Sequence, residues 1–196
     1  YSEKRKFFLQ DTEIFSFGGI GGMRWIDSST ISRAERESGQ PFFSRRIGLS
    51  SEGETVPINY GGKLTGRLRG WDIGLMGITQ EASANVGKSD LFVARFARNI
   101  LSESSVGAIF TSGDPNSDLD NTLAGIDFRY LNTKLPNGGT LQGALWYQQS
   151  DSEGVDDDQA AYGVSIKVPS SAGLRYGLSY KEFQENYYPA LGFVNR

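Results

Sequence analysis

Seven cations, Lys63, Arg67, Arg69, Arg129, Lys167, Arg175 and Lys181, stand at the polar positions of stretches that alternate between apolar and polar residues. They are the first side chains here that could do chemistry. Few acids share that face, Asp127 being one, so if it lines a lumen the interior is positive and favours anionic ligands such as acidic sugars. The competing reading pairs each cation with a carboxylate of a neighbouring strand or of a strand missing from this chain. A second group, Asp114, Asn116, Asp118 and Asp120, places oxygen-bearing side chains at every other position, as a calcium ion with its six to eight oxygen ligands could use. That loop lacks the glycine and the distal glutamate of an EF-hand, so a solvated acidic loop competes with the metal site. Divalent bridging to lipopolysaccharide is a further variant. Asp151, Glu153, Asp156, Asp157 and Asp158 make another acidic loop. Glycosidase chemistry needs two carboxyl groups flanking one bond, and Glu182 and Glu185 are close in sequence, but nothing marks either as a buried acid.

Composition narrows the chemistry further. With no histidine and no cysteine among 196 residues, a Ser/His/Asp triad, a thiolate nucleophile, a thiolate zinc site and a disulfide are all excluded. Cysteine absence leaves the redox compartment open. A net charge of -3 without a basic run argues against nucleic acid. No cofactor is implied, and an enzyme is the less favoured reading. The chain starts at Tyr1 rather than Met, which suggests an internal or processed segment.

The elements that must position these residues are strands. Ile58, Tyr60, Gly62, Leu64, Gly66 and Leu68 alternate with Asn59, Gly61, Lys63, Thr65, Arg67 and Arg69, which describes a ribbon with one apolar and one polar face. Its dozen residues exceed an ordinary strand of about five or six and match the roughly 9 to 11 of a tilted strand crossing a bilayer. The pattern returns at Ala124–Tyr130, Leu141–Tyr147, Tyr162–Val168 and Leu174–Tyr180, with weaker segments at Trp71–Thr79, Leu91–Leu101 and Val106–Ser112. That predicts about eight strands. Tight turns are expected at Arg69–Trp71, Leu101–Ser104 and Pro169–Ala172, and long polar loops at Glu81–Asp90, Gly113–Asn121 and Ser150–Gln159. The resulting short and long ends are those of an outer-membrane barrel. Only the connection Asn132–Gly139 departs from the rule. Tyr60, Trp71, Tyr130, Tyr147, Tyr162, Tyr180 and Phe183, near strand ends, could form interfacial girdles or pack in a soluble core.

Residues 1–50 read as a lead-in segment: a charged then aromatic stretch to Phe17, a glycine turn at Gly18–Gly22, helix-compatible charge spacing over Asp27–Gln40 and one short strand near Phe43–Leu49. Residues 51–196 read as the antiparallel meander. The fold class expected is all-β, an up-and-down β-barrel of outer-membrane type with about eight strands in this chain, part of a larger barrel.

Several phrases in order carry a resemblance: Phe7-Phe8-Leu9-Gln10 with Glu13-Ile14-Phe15, Phe42 to Gly48, Gly61 to Gly66, Trp71 to Leu75, Ser104 to Thr111 and Tyr188 to Val194. The chain resembles, over nearly its whole length, the uncharacterised bacterial outer-membrane barrel-like domain found after a family 9 carbohydrate-binding-like module. Two details depart from that pattern, Lys6 where proline is usual and an apparent insertion at Gly18–Gln40. The resemblance implies a bacterial outer-membrane location, a neighbouring carbohydrate-binding-like module and further strands, and it brings no established catalytic residues to carry over. The expected function is therefore a barrel segment that anchors, or forms a conduit beside, such a module in glycan binding or uptake, with membrane lipid and glycans or anionic solutes as partners. Two alternatives are part of a glycoside hydrolase-type enzyme and a soluble β-barrel binding module.

Overall fold

The computed structural model describes residues 5–18, 39–83, 86–135, 139–169 and 174–194. Eight strands form one sheet in sequence order: β1 (Ile58–Leu68), β2 (Trp71–Gln80), β3 (Ser89–Ile100), β4 (Ser104–Ser112), β5 (Asn121–Asn132), β6 (Leu141–Ser152), β7 (Ala160–Val168) and β8 (Tyr176–Phe183). Every neighbouring pair is antiparallel. The all-β up-and-down architecture is therefore the one the alternation predicts. Among the described residues no ladder joins β1 to β8.

Register turns the alternation into two faces. Leu64 lies opposite Leu75, Phe96 opposite Ala108, Ile126 opposite Tyr147, and Val164 opposite Tyr180, so one apolar row runs across the sheet. This row faces outward, with Ile126 62%, Leu145 55% and Leu178 75% exposed. The opposite, inner face carries Met76, Ile78, Leu91, Val93, Ile109, Leu123 and Trp146, all buried. An isolated sheet would leave both faces wet. Here the inner face is covered by residues 5–18, 39–57 and 184–194, which contribute Phe8, Phe15, Phe17, Ile47, Tyr187 and Leu191 to the same core.

Turn chemistry fits the chain at its tightest corner. Arg69 (φ 50°) and Gly70 (φ 82°) both lie in the left-handed region, the two-residue hairpin geometry whose twist matches the flanking strands. β3 and β4 are joined by three residues beginning with Leu101, also at positive φ. At the same end, however, residues 133–140 and 169–175 make longer connections, so the short end is short only over its first half. Of the tight turn expected at Pro169–Ala172, residues 170–172 lie outside the described ones.

Other details differ from expectation. A bulge between Ile58 and Tyr60 sets Ile58 opposite Gln80, on the inner side, instead of in the outer row with Tyr60. Between Phe43 and Leu49 the backbone makes a 3-10 turn at Ser44–Arg46 and a single bridge from Leu49 to Thr55. The alternation there was too brief to distinguish a strand from a turn. The meander runs from Ile58 to Phe183, and residues 184–194 fold back across the inner face. The expected helical stretch Asp27–Gln40 and the glycine turn after Gly18 fall almost wholly outside the described residues.

Candidate functional site

The inner face is where the polar chemistry gathers. Glycines on it serve as seats. A Cβ at Gly74 would come within 2.8 Å of Ile14 and 3.0 Å of Phe15, and one at Gly125 within 2.9 Å of Phe17. Residues 5–18, which include a one-turn helix at Lys6–Leu9 and a 3-10 turn at Thr12–Phe15, thus lie closer to the sheet than any side chain would permit. Trp146 closes over Gly18 and Gly163 from β6.

At the centre is a buried ion pair. Arg95 of β3 reaches diagonally over Gly107 of β4 to Asp127 of β5, with Nη1 2.5 Å from Oδ1 and Nη2 3.0 Å from Oδ2. Both side chains are almost wholly buried, at 5% and 2% exposure. Asp127 Oδ2 also accepts the backbone N–H of Gly18 at 3.0 Å, and the ring of Phe17 stacks 5.4 Å from the guanidinium carbon. A forked donor over a planar carboxylate is the geometry that makes burial of two charges tolerable. Among the described residues Arg95 Nε has no hydrogen-bond partner.

Two buried glutamines tie the covering segments to the strands. Gln80 accepts the Gly48 N–H and donates to the Pro115 carbonyl at 2.8 Å. Gln148 donates to the Gly39 carbonyl at 2.7 Å and accepts the Tyr187 hydroxyl at 2.5 Å. Burial pushes the Tyr187 phenol well above its ordinary range.

The seven sequence-predicted cations do not converge. Lys63 donates to the carbonyls of Phe7 (2.7 Å) and Gln10 (2.5 Å), so it holds the amino-terminal segment. Arg67 pairs with its ladder partner Asp72 at 2.6 Å. Arg69 sits in the β1–β2 turn rather than on a strand face, and Arg175 precedes β8. Arg129 is half-buried on the inner face beside Ser105 and Ala144. Lys167 and Lys181 are on the same face, the latter 5.9 Å from the Phe183 ring centroid. Arg95, Gln80 and Gln148 are absent from that reading. A cation interrupting the apolar row Leu91, Val93 was the available signal for Arg95, once β3 and β5 are registered through β4.

The acidic loop is spent on protein donors. Asp114 Oδ1 accepts the Asn116 N–H at 2.8 Å, Asp118 Oδ1 accepts the Gly87 N–H at 2.7 Å, and the Asp120 N–H donates to Glu153. Burial raises the Asp114 carboxyl above its ordinary range, and burial together with the neighbouring Asp114 carboxylate pushes the Tyr188 phenol up to about 12. Among the described residues no three His, Cys, Asp or Glu side chains converge as a metal-binding group; Asp114 and Asp118 accept backbone N–H groups, Asp120 donates only through its backbone, and Asn116 Oδ1 is buried without a hydrogen-bond partner among the described residues. Glu182 lies on the outer side, accepting the hydroxyl of Tyr180, while Glu185 is exposed beyond β8, so the two carboxylates flank no cleft. Tyr60, Trp71, Tyr147 and Tyr180 stand exposed in the outer row, whereas Phe183 faces inward against Trp146 and Tyr187.

Compared with known proteins, the chain matches no family, no curated protein and no solved structure.

Proposed function

We propose that this sheet is part of an outer-membrane β-barrel that anchors its protein in lipid, with residues 5–18, 39–57 and 184–194 filling the interior. The observation that carries it is the exposed outer face: Tyr60, Leu64, Phe96, Ile126, Leu145, Ile166 and Leu178 stand out from the sheet, while the inner face, with its apolar and its polar residues, is covered. The outer row joins many large side chains, each aromatic offering roughly 150–250 Å², into a surface on the order of 1,000 Å² or more, beyond the few hundred found on soluble monomers. A soluble sheet would have to cover that face. Along β3 it reads Asp90, Phe92, Ala94, Phe96, Arg98, an apolar stretch with a charge at each end. Eight residue steps at about 3.4 Å, tilted by roughly 40°, give a band about 21 Å high, close to the ~25 Å apolar belt of such barrels. Arg98 stacks on Trp71 at 5.6 Å and Lys88 on Tyr60 at 5.7 Å, amphipathic pairs suited to the two interfaces. No helix among the described residues is long and apolar enough to cross a membrane, so strands would do the crossing.

The filled interior bears on both size and mechanism. Eight strands close around side chains alone, and the inner face here is covered by three backbone segments, so a barrel built from this sheet would need more than eight strands. Of its inner cations, Lys63, Arg67 and Arg95 hold the chain's own carbonyls and carboxylates, which favours the anchoring role over an open conduit. A carbohydrate-binding-like module beside the barrel, and glycans as its ligands, follow from the family resemblance. Extraction tests the reading: the natural full-length protein should require detergent, float with liposomes and shift on a gel when heated. Free solubility at high concentration would refute it.

A further inference from the structure

We propose that residues 5–18 form a displaceable plug, a unit that leaves the inner face while the eight-stranded ladder stays paired. The passage this would open rests on the barrel reading above; the displacement itself does not.

The argument is one of connectivity. Seven continuous ladders bind the strands to one another, so the sheet opens cooperatively or not at all. Among the described residues no ladder joins residues 5–18 to those strands. Polar contacts with the sheet run through side chains: Lys63 to two carbonyls, Thr65 to Asp11 at 2.8 Å, and Asp127 to the Gly18 N–H. Beyond the sheet, Arg5 donates to the carbonyls of Ile47 and Ser44. Three buried phenylalanines, Phe8, Phe15 and Phe17, supply the apolar grip, and two of them rest against glycines. The glycine seats at Gly74 and Gly125 put no side chain of β2 or β5 between Phe15, Phe17 and the sheet, and Trp146 against Gly18 is the ring that must give way as the segment lifts. The surface uncovered would present Lys63, Arg95 and Asp127, with Arg129 and Lys167 on the same face, so cations outnumber acids there. The reciprocal placement matters too: Arg95 and Asp127 keep each other when Gly18 departs, and the exposed pair is neutral as a unit.

The absence of cysteine in the chain makes the test clean. A Cβ at Gly74 would be 2.8 Å from Ile14 Cγ2, and one further carbon–carbon bond of about 1.5 Å keeps the Cβ–Cβ distance within about 4.3 Å, inside disulfide range. Hydrogen exchange is measured by mass spectrometry on the full chain, in detergent if extraction requires it, for the natural sequence and for the double variant Ile14→Cys, Gly74→Cys in oxidised and reduced forms. The expected result is exchange in residues 5–18, the buried Gly18 amide included, at least about 100-fold faster than in β3–β6, with the disulfide slowing residues 5–18 by a factor of about ten or more and leaving the strands unchanged. Exchange of residues 5–18 at the rate of the ladder would overturn the inference. Fast exchange that the disulfide leaves untouched would do so as well, since it reports fraying within the segment. The outcome does not depend on whether the protein enters a bilayer, so failure of the membrane reading would be seen separately, in the flotation assay.

Discussion

Replacing Arg95 by methionine leaves Asp127 almost wholly buried with the Gly18 N–H as its remaining donor among the described residues. Removing one partner of a buried, hydrogen-bonded pair typically costs about 3–5 kcal/mol, because the other charge stays desolvated without compensation. The forked geometry at 2.5 and 3.0 Å and the near-complete burial place this pair in that class rather than among exposed pairs worth less than about 1 kcal/mol. Asp127→Leu should cost a similar amount by stranding the guanidinium. The double variant Arg95→Met, Asp127→Leu removes both charges and leaves an N–H without an acceptor, a loss of about 1–3 kcal/mol. It should therefore be more stable than either single variant, a non-additivity that neighbouring residues can show and distant ones do not. Equilibrium unfolding in guanidinium, followed by tryptophan fluorescence in detergent micelles, measures all four proteins on one scale. Single variants that lose less than about 1 kcal/mol, or a double variant that loses the sum of the two, would refute the reasoning.

Three further predictions use the same assay or a close relative. Gly125→Ala, whose Cβ would lie 2.9 Å from Phe17, should destabilise by about 1–3 kcal/mol through overpacking, whereas Gly62→Ala, with nothing within 4 Å, should change stability by less than about 0.5 kcal/mol. Ile126→Lys, at the middle of the outer row of β5, should weaken folding into lipid vesicles by about 2–4 kcal/mol, and an effect near zero would speak against lipid contact at that face. The Asp114 carboxyl has a folded pKa raised by burial, so between its unfolded and folded values the folded state holds the proton more tightly. Stability should accordingly fall as pH rises through that window. Asp114→Asn, which keeps an oxygen for the Asn116 N–H, should remove the step and raise the melting temperature at neutral pH.

The strands were legible because one face of each had to be apolar. Tyr162, Val164, Ile166 and Val168 alternate without interruption, and β7 forms over Ala160–Val168; a period of two leaves little else for such a run to be. Connections were read less well. Asp156 to Asp158 identify a loop by polarity, but the length of residues 169–175 is set by where β8 begins, and Leu174 and Arg175 continue its alternation without joining the ladder. Alternation reports which residues can pair, not which find a partner strand at that level.

The filling of the inner face was hidden for a different reason. Phe8, Phe15 and Phe17 have no common period with the strands they cover, and the fit is recorded on the sheet side only as glycines at Gly74 and Gly125, residues that alternation counts as neither apolar nor polar. A glycine on the polar face of a strand can mean a weak strand, a bulge or a seat for another backbone, and only the arrival of the covering segment distinguishes these. The same holds for charge. Lys63 and Arg95 sit at equivalent inner positions, yet Lys63 holds a chain segment by its carbonyls and Arg95 is consumed by Asp127 across an intervening strand. Counting cations on a face therefore overstates the field that a ligand would meet. What matters is the residue opposite each one once the strands have paired and the inner face is covered.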